Sequence, residues 1–165
     1  LWQCQCSNEQ LQHLALNLGA DVPFFILGKN AWVEGIGEHL TAIDLPEKHY
    51  FVIKPDCFIS TQHLFSQKSL TRDTKITKFS DYQIQPNLFR NNFEAVAIEL
   101  YPEVKRAIDH LNQIGQARLT GTGSCIFVEI DDKIDYSDFL KQSPYPIYKV
   151  KSLAQSPLVD FKLDD

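Results

Sequence analysis

Near its start the chain spaces its apolar residues as an amphipathic helix does. Ser7 and Gln10 have the form of a capping box, in which each side chain bonds a backbone N–H left free at the helix start. The apolar positions then recur every three or four residues, at Leu11, Leu14, Ala15 and Leu18. This pattern predicts a short helix that ends at Gly19.

The following apolar run is typical of strands. Residues 22–27 read VPFFIL without a polar position, residues 28–30 (GKN) favour a turn, and residues 31–34 (AWVE) alternate. Apolar and alternating runs on both sides of a glycine-containing turn predict a β-hairpin. Asp21 stands alone between the predicted helix and this hairpin.

A polar, proline-containing segment at residues 44–48 (DLPEK) predicts a linker or a domain boundary. Beyond it, residues 49–55 (HYFVIKP) predict a strand. Residues 60–67 (STQHLFSQ) predict a short helix that begins at the serine or the threonine. Residues 68–86 are polar with scattered apolar positions, which predicts a long surface loop.

The second half of the chain alternates helical and strand patterns. Helical periodicity runs through residues 87–115, and Pro102 should begin a second helix because proline is tolerated in the first turn but not in a helix interior. Residues 117–130 predict a hairpin closed by the turn GTGS. A helix capped near Asp135 or Ser137 and a final strand at residues 145–153 follow.

From residue 49 onward, the predicted order is β-α-α-α-β-β-α-β. This order suits an α+β layer of the ferredoxin-like, split β-α-β type. With the boundary at DLPEK, we expect two domains, residues 1–44 and 45–165.

Composition limits the classes of function. Of 165 residues, 44% are hydrophobic and 22% are charged, as in globular proteins. The net charge is −5, and basic clusters are not interleaved with aromatic residues, so we expect no nucleic acid partner and favour a small ligand. No apolar run reaches the roughly 18 residues of a membrane span. The sequence leaves the oligomeric state open.

The cysteines predict a reducing environment. Cys4, Cys6, Cys57 and Cys125 have no disulfide-framework spacing, and Cys125 lies in an apolar strand pattern, so we expect free thiols and a cytoplasmic protein. Cys4 and Cys6 with His13 could be imagined as metal ligands, but no second ligand pair follows at zinc spacing, and no metal is predicted. Because the chain begins LWQC and contains no methionine, we expect a piece of a longer protein.

Asp21 is the first candidate for chemistry. One interpretation is an Asx turn that joins helix to strand. The other is functional: a carboxylate beside Phe24 and Phe25 would have its charged form disfavoured by burial unless a cation or a donor lay close. Such a group is suited to accepting a proton from a substrate hydroxyl.

The second candidate is the turn in residues 118–127 (RLTGTGSCIF). Successive backbone N–H groups of a glycine-rich turn can bind an anion, and Thr120, Thr122 and Ser124 add hydroxyls. A plain hairpin turn that needs glycine is the alternative. The turn lacks the lysine of a Walker A loop and is no dinucleotide fingerprint. Glu34 and Glu38 fix no shared geometry, and Phe65 would ordinarily be a core residue. Together, the two candidates hint at phosphoryl transfer.

Three segments, LGADVPFFILGKNAWVEGIGE, ARLTGTGSCIFVEI and the closing SPL, resemble the GHMP small-molecule kinases. Within that family they are most similar to the bacterial branch that acts on cytidine diphosphate methylerythritol, in the non-mevalonate route to isoprenoids. The resemblance covers essentially the whole chain. It implies that residues 1–44 end a catalytic N-terminal domain, as a helix and hairpin, and that residues 45–165 form a C-terminal substrate domain.

The resemblance also implies roles for individual residues. Asp21 corresponds to the catalytic acid-base aspartate, which works with a lysine, and Gly121, Thr122, Gly123 and Ser124 border the phosphate site. Thr61 and Phe65 match substrate-contacting positions, with Phe65 stacked on cytosine. The lysine and the loop that holds ATP phosphates are expected upstream of Leu1, so the chain alone is expected to be inactive. ATP with Mg²⁺ is the implied cofactor pair.

The expected reaction is transfer of the ATP γ-phosphoryl group to the 2-hydroxyl of the methylerythritol part, mostly by positioning and charge stabilisation. Whether Asp21 removes the proton or only orients the hydroxyl is left open, as is the contribution of residues 68–86. Two alternatives remain at this point. The chain could belong to a GHMP kinase for another alcohol, or it could be a non-catalytic ferredoxin-like module that binds a ligand.

Overall fold

A computed structural model describes residues 5–74, 78–84 and 90–159, which form two compact units. Unit 1 comprises the described residues up to Glu47 and those from Leu153 onward, and unit 2 comprises Lys48–Ser152. The predicted domains, 1–44 and 45–165, follow the chain continuously, whereas the compact units also divide it at Leu153. The roles of catalytic and substrate domain stay a prediction.

The described residues of unit 1 form two helices and one hairpin: α1 (Asn8–Leu16), α2 (Val22–Leu27), β1 (Ala31–Glu34) and β2 (His39–Ala42). The capping box of α1 is confirmed. Ser7 Oγ accepts a hydrogen bond from Gln10 N at 3.2 Å, and Gln10 Oε1 accepts one from Ser7 N at 2.9 Å. Both bonds satisfy donors that the helix start would otherwise leave free.

The prediction of a strand over residues 22–27 was wrong, because this segment is the helix α2. Pro23 lies in its first turn, where a missing N–H costs nothing and the fixed φ suits a helix. Gly28 ends the helix in the left-handed conformation (φ 64°) and donates its N–H to Phe24 O at 3.0 Å. The hairpin of unit 1 is instead formed by β1 and β2, which pair antiparallel.

Unit 2 is the ferredoxin-like layer. Its elements are β3 (His49–Ile53), α3 (Thr61–Ser66), α4 (Phe79–Ile84), α5 (Asn92–Leu100), α6 (Pro102–Leu111), β4 (Arg118–Leu119), β5 (Ile126–Ile130), α7 (Ser137–Gln142) and β6 (Ile147–Lys151). The antiparallel sheet has the order β4-β5-β3-β6. The predicted α+β class and split β-α-β topology are therefore confirmed.

The core of unit 2 lies between one face of this sheet and the helices α5 and α6. Burial alternates along β5, as expected for a strand with one covered face. Pro102 occupies the first turn of α6, as predicted. Fully or nearly fully buried core residues include Phe51, Ile53, Leu64, Val96, Ala97, Val104, Leu111, Ile126 and Val128.

The predicted loop over residues 68–86 contains the short helix α4. Its start is held by Asp81 Oδ2, which accepts a hydrogen bond from Lys78 N at 2.9 Å. Residues 75–77 and 85–86 of the predicted loop lie outside the described residues. Helix α7 was expected to be capped near Asp135 or Ser137, but its N-cap is Tyr136, which makes no side-chain cap; Asp135, one residue earlier, accepts from Ser137 N at 2.9 Å.

Three further expectations concern membranes, disulfides and metals. Among the helices that the structure describes, none is long and apolar enough to cross a membrane. Cys57 and Cys125 are thiols; Cys4 lies outside the described ranges. Within those ranges, no three His, Cys, Asp or Glu side chains are grouped to hold a metal ion.

Candidate functional site

The glycine-rich turn joins β4 to β5, as the sequence predicts. Thr120 N donates to Cys125 O at 3.0 Å, and Gly123 N donates to Thr120 O at 2.9 Å. Gly121 (φ 54°) and Gly123 (φ 94°) both have positive φ, which other residues rarely adopt. The two glycines are thus needed for the path of the backbone.

The two glycines differ in the space around them. A Cβ added at Gly121 would meet nothing within 4 Å, whereas one at Gly123 would lie 2.7 Å from Ile59 Cδ1 and 3.1 Å from Leu119 Cδ1. Gly121 is therefore required for its conformation alone. Gly123 is required for its conformation and for its close approach to the core.

The backbone N–H groups of the turn differ in whether they bond within the chain. In the ranges that the structure describes, the N–H groups of Gly121, Thr122 and Ser124 have no intramolecular acceptor. Alternation of positive and negative φ along such a turn is the geometry of an anion-binding nest. The Ser124 side chain is buried and its Oγ lies 3.5 Å from Pro55 O, so its hydroxyl faces inward. Anion binding here stays a prediction, which this geometry suits.

A half-buried thiol, that of Cys57, contacts Ser124 of the turn. Burial and the charge of Glu103 raise the pKa of Cys57, while a hydrogen bond with Ser124 opposes the rise. The cysteine therefore stays neutral at physiological pH. It adds no negative charge that would repel a phosphate.

Thr61, a predicted substrate residue, lies beside the turn. Its Oγ1 is 3.0 Å from Thr122 Oγ1, so one hydroxyl donates to the other. Thr61 is the first residue of α3, which Ser60 caps by accepting from His63 N at 3.2 Å. The cap fixes the start of α3 and thereby places Thr61 against the turn.

Phe65, the residue expected to stack on cytosine, is one helical turn further along α3. Its side chain is 55% exposed, which is unusual for a phenylalanine that has only a packing role. Phe93 supports the ring edge to face, with centroids 4.9 Å apart and an angle of 79°. The exposed ring is therefore held in place and open to a flat ligand.

Sequence reasoning missed the residues that surround this pair. Asn91 Nδ2 donates to Leu119 O at 3.0 Å and to Gly121 O at 2.6 Å, and Glu94 Oε2 accepts from Leu119 N at 2.7 Å. Arg72 donates to the carbonyl oxygens of Phe65, Leu70 and Gln67. Only an asparagine at the start of a helical pattern could have signalled any of this.

Asp21 belongs to unit 1, where it is the N-cap residue of α2. It is exposed and its side chain makes no cap hydrogen bond, so the carboxylate is not buried against the apolar run. Residues 22–27 follow a helical path, in which Phe25 is 71% exposed. Gly37, in the β1–β2 turn, approaches the Ala20 backbone too closely for any side chain. This contact places the turn next to Asp21.

The candidate residues fall into two groups. Thr61, Phe65 and the turn belong to unit 2, and the described contacts bring them together. Asp21 belongs to unit 1. The catalytic and binding roles of all these residues are proposals.

Comparison with known proteins gives a family and close relatives. Residues 79–139 match the family described as "GHMP kinases C terminal". The chain is 58% identical over 163 residues to 4-diphosphocytidyl-2-C-methyl-D-erythritol kinase of Acinetobacter baumannii (strain ACICU), which covers 99% of the chain and 59% of the relative. It is 42% identical over 160 residues to the kinase of that name from Azoarcus sp. (strain BH72), covering 96% and 56%.

A solved structure has the same fold. A crystal structure of 4-(cytidine 5'-diphospho)-2C-methyl-D-erythritol kinase superposes with a TM-score of 0.63 at 24% identity, covering 84% of this chain and 56% of that one. The chain therefore spans less than two thirds of the length of these relatives. What the whole protein does is a matter for proposal.

Proposed function

Because this chain belongs to the GHMP kinase family, we propose that it forms part of an enzyme that phosphorylates the 2-hydroxyl of 4-diphosphocytidyl-2-C-methyl-D-erythritol with ATP. In this proposal, unit 2 binds the cytidine end of the substrate and borders the phosphate site. Unit 1 contributes the acid-base aspartate. The enzyme would act in the cytoplasm, in non-mevalonate isoprenoid synthesis.

The contact between Thr61 and Thr122 carries the proposal. It joins a residue expected to contact the acceptor to a turn expected to border the phosphates, at an Oγ1–Oγ1 distance of 3.0 Å. A phosphoryl-transfer enzyme must bring its two substrates together within bonding range. An acceptor whose base stacks on Phe65 could extend along α3 to Thr61. There it would lie beside the glycine-rich turn, where the phosphates of ATP are expected.

Asp21 would act on the acceptor hydroxyl. An ionised carboxylate can accept the hydroxyl proton or orient the oxygen for in-line attack on the γ-phosphorus. As the hydroxyl oxygen bonds to phosphorus, the bond between that phosphorus and the ADP leaving oxygen breaks. Asp21 is exposed, as this role requires.

ATP would enter with Mg²⁺. Within the residues that the structure describes, the acidic and histidine side chains form no three-ligand group for a metal. Mg²⁺ commonly reaches such sites held largely by substrate phosphates and water. In the proposed site, Mg²⁺ would arrive with the ATP phosphates and would offset their negative charge. The free amides of the turn would contribute hydrogen bonds to phosphate oxygens.

A segment replacement tests the proposal. The matched segment of the A. baumannii kinase is replaced by this chain, which is 58% identical to it, and ATP consumption is measured with the cytidine diphosphate substrate. We expect substrate-dependent turnover near that of the relative. Methylerythritol without its cytidine diphosphate is the comparison substrate. Turnover with both alcohols alike, or with neither, would contradict the proposed substrate.

A further inference from the structure

The N-cap and first turn of α5 contact two parts of the candidate site in unit 2, the glycine-rich turn and the ring of Phe65. Four consecutive residues make these and the adjoining contacts: Asn91 and Glu94 bond the backbone of Leu119, Asn92 bonds Thr71, and Phe93 packs against Phe65. We propose that this turn, here called the NNFE turn, is a positioning device. It fixes the position of the glycine-rich turn relative to the ring of Phe65. The inference rests on the proposed function.

Asn91 and Glu94 together hold both backbone groups of Leu119. Asn91 Nδ2 donates to Leu119 O at 3.0 Å, and Glu94 Oε2 accepts from Leu119 N at 2.7 Å. These are the bonds that a neighbouring strand would make to a strand edge. The helix cap thus replaces a strand beside the two-residue β4.

Asn91 also bonds the glycine-rich turn itself. The same Nδ2 lies 2.6 Å from Gly121 O, while its Oδ1 accepts from Phe93 N at 3.0 Å and caps α5. Since Gly121 has open space around it, packing alone does not fix its position. The Asn91 amide therefore restrains the peptide between Gly121 and Thr122, together with the bond between the Thr61 and Thr122 hydroxyls.

Asn92 and Phe93 contact helix α3 and the segment that follows it. Phe93 packs against Phe65 at a centroid distance of 4.9 Å. Asn92 Nδ2 donates to Thr71 O at 3.2 Å and to Thr74 Oγ1 at 2.8 Å, which fixes the segment that follows α3. The NNFE turn thus sets the distance between the ring of Phe65 and the glycine-rich turn.

Asn91→Ser separates this role from helix capping, because serine caps a helix about as well as asparagine but is too short to reach the two carbonyls. Asn112→Ser is the matched control. Asn112 also makes one side-chain bond to the backbone, accepting from Ala117 N at 2.9 Å, but it does not contact the glycine turn. Both substitutions are made in the segment-replaced kinase and in the chain alone.

We expect Asn91→Ser to lower kcat/KM for ATP about 10-fold to 100-fold, the scale of a small misplacement at a reacting site, with the acceptor KM nearly unchanged. Phe93→Leu should instead raise the acceptor KM and leave the ATP KM unchanged. In the chain alone, Asn91→Ser should move the amide ¹⁵N resonance of Thr122, which shares a peptide with Gly121 O. Asn112→Ser should leave kcat/KM for ATP and the Thr122 resonance unchanged.

Equal kinetics of Asn91→Ser and Asn112→Ser, with an unmoved Thr122 resonance, would overturn the positioning role. Asn91→Asp, which keeps the capping oxygen but removes the donor, repeats the test should the serine variant not fold. If the unsubstituted segment-replaced kinase is inactive, the proposed function fails. The resonance of Thr122 still decides the positioning role in that case.

Discussion

Thr61 and Thr122 are 61 residues apart in the chain, and their hydroxyl oxygens lie 3.0 Å apart. This bond links the start of α3 to the glycine-rich turn, the two parts of unit 2 that the sequence singled out separately. We expect Thr61→Val and Thr122→Val to be non-additive in kcat/KM of the segment-replaced kinase. The coupling should be about 0.5–1.5 kcal/mol, the usual net contribution of a hydrogen bond. Additive effects would show that the two hydroxyls act independently.

Phe65 should contribute to binding of the cytidine group. Stacking of a base on an aromatic ring is lost in Phe65→Ala, which we expect to weaken substrate binding by about 1–3 kcal/mol in calorimetry on the segment-replaced kinase. Phe58→Ala is the control, because Phe58 is a phenylalanine of the same unit that is 87% exposed. Equal affinity of the two variants would remove Phe65 from the site.

The two glycines of the turn should differ in their contribution to stability. In Gly121→Ala, the only cost is that alanine must adopt the left-handed conformation. This should lower the free energy of unfolding by about 1–2 kcal/mol. Gly123→Ala suffers that cost and also places a methyl group 2.7 Å from Ile59 Cδ1, so its loss should be clearly larger. Urea unfolding of the chain measures both. A larger loss at Gly121 would mean that the path of the turn differs from the one described.

His110 should make the stability of the chain depend on pH. Burial lowers its pKa below 6.5, and the ring stacks on Phe139 with Nε2 buried and without a hydrogen-bond partner among the described residues. The unfolded chain therefore binds this proton more readily than the folded chain. Stability should be full above the unfolded pKa and should fall as pH drops through 6.5 towards the folded pKa.

His110→Phe keeps an aromatic ring and removes the titration. Its free energy of unfolding should fall less between about pH 7.5 and pH 5 than that of the unsubstituted chain, in urea unfolding at each pH. His13→Gln, at an exposed position, is the control and should keep the full slope. The same slope in all three proteins would exclude His110 as the source.

The sequence predicted unit 2 well because its signals are local and agree with one another. Pro102 separates two helices, Ser60 begins α3, and the glycines between two apolar runs close the hairpin of β4 and β5. These features leave few arrangements other than a split β-α-β layer. The sheet order then follows from that topology.

Unit 1 and the NNFE turn were harder to predict. The apolar run at residues 22–27 favours a strand by composition, but Pro23 and Gly28 set a helix start and end, and local backbone preferences decided the outcome. Asn91 and Glu94 show no pattern in sequence, because their partner Leu119 is at least 25 residues away. Contacts of that kind become visible only when the tertiary structure is known.

The most direct test of the proposed activity concerns Asp21. In the segment-replaced kinase, Asp21→Asn removes the charge and basicity of the carboxylate while keeping its shape. Asp44→Asn, at another exposed position of unit 1, is the control. We expect Asp21→Asn to lower kcat about 10²-fold to 10⁴-fold with KM values nearly unchanged, and Asp44→Asn to leave kcat as it was. Turnover of the Asp21→Asn enzyme close to that of the control would contradict the assignment of Asp21 as the acid-base residue.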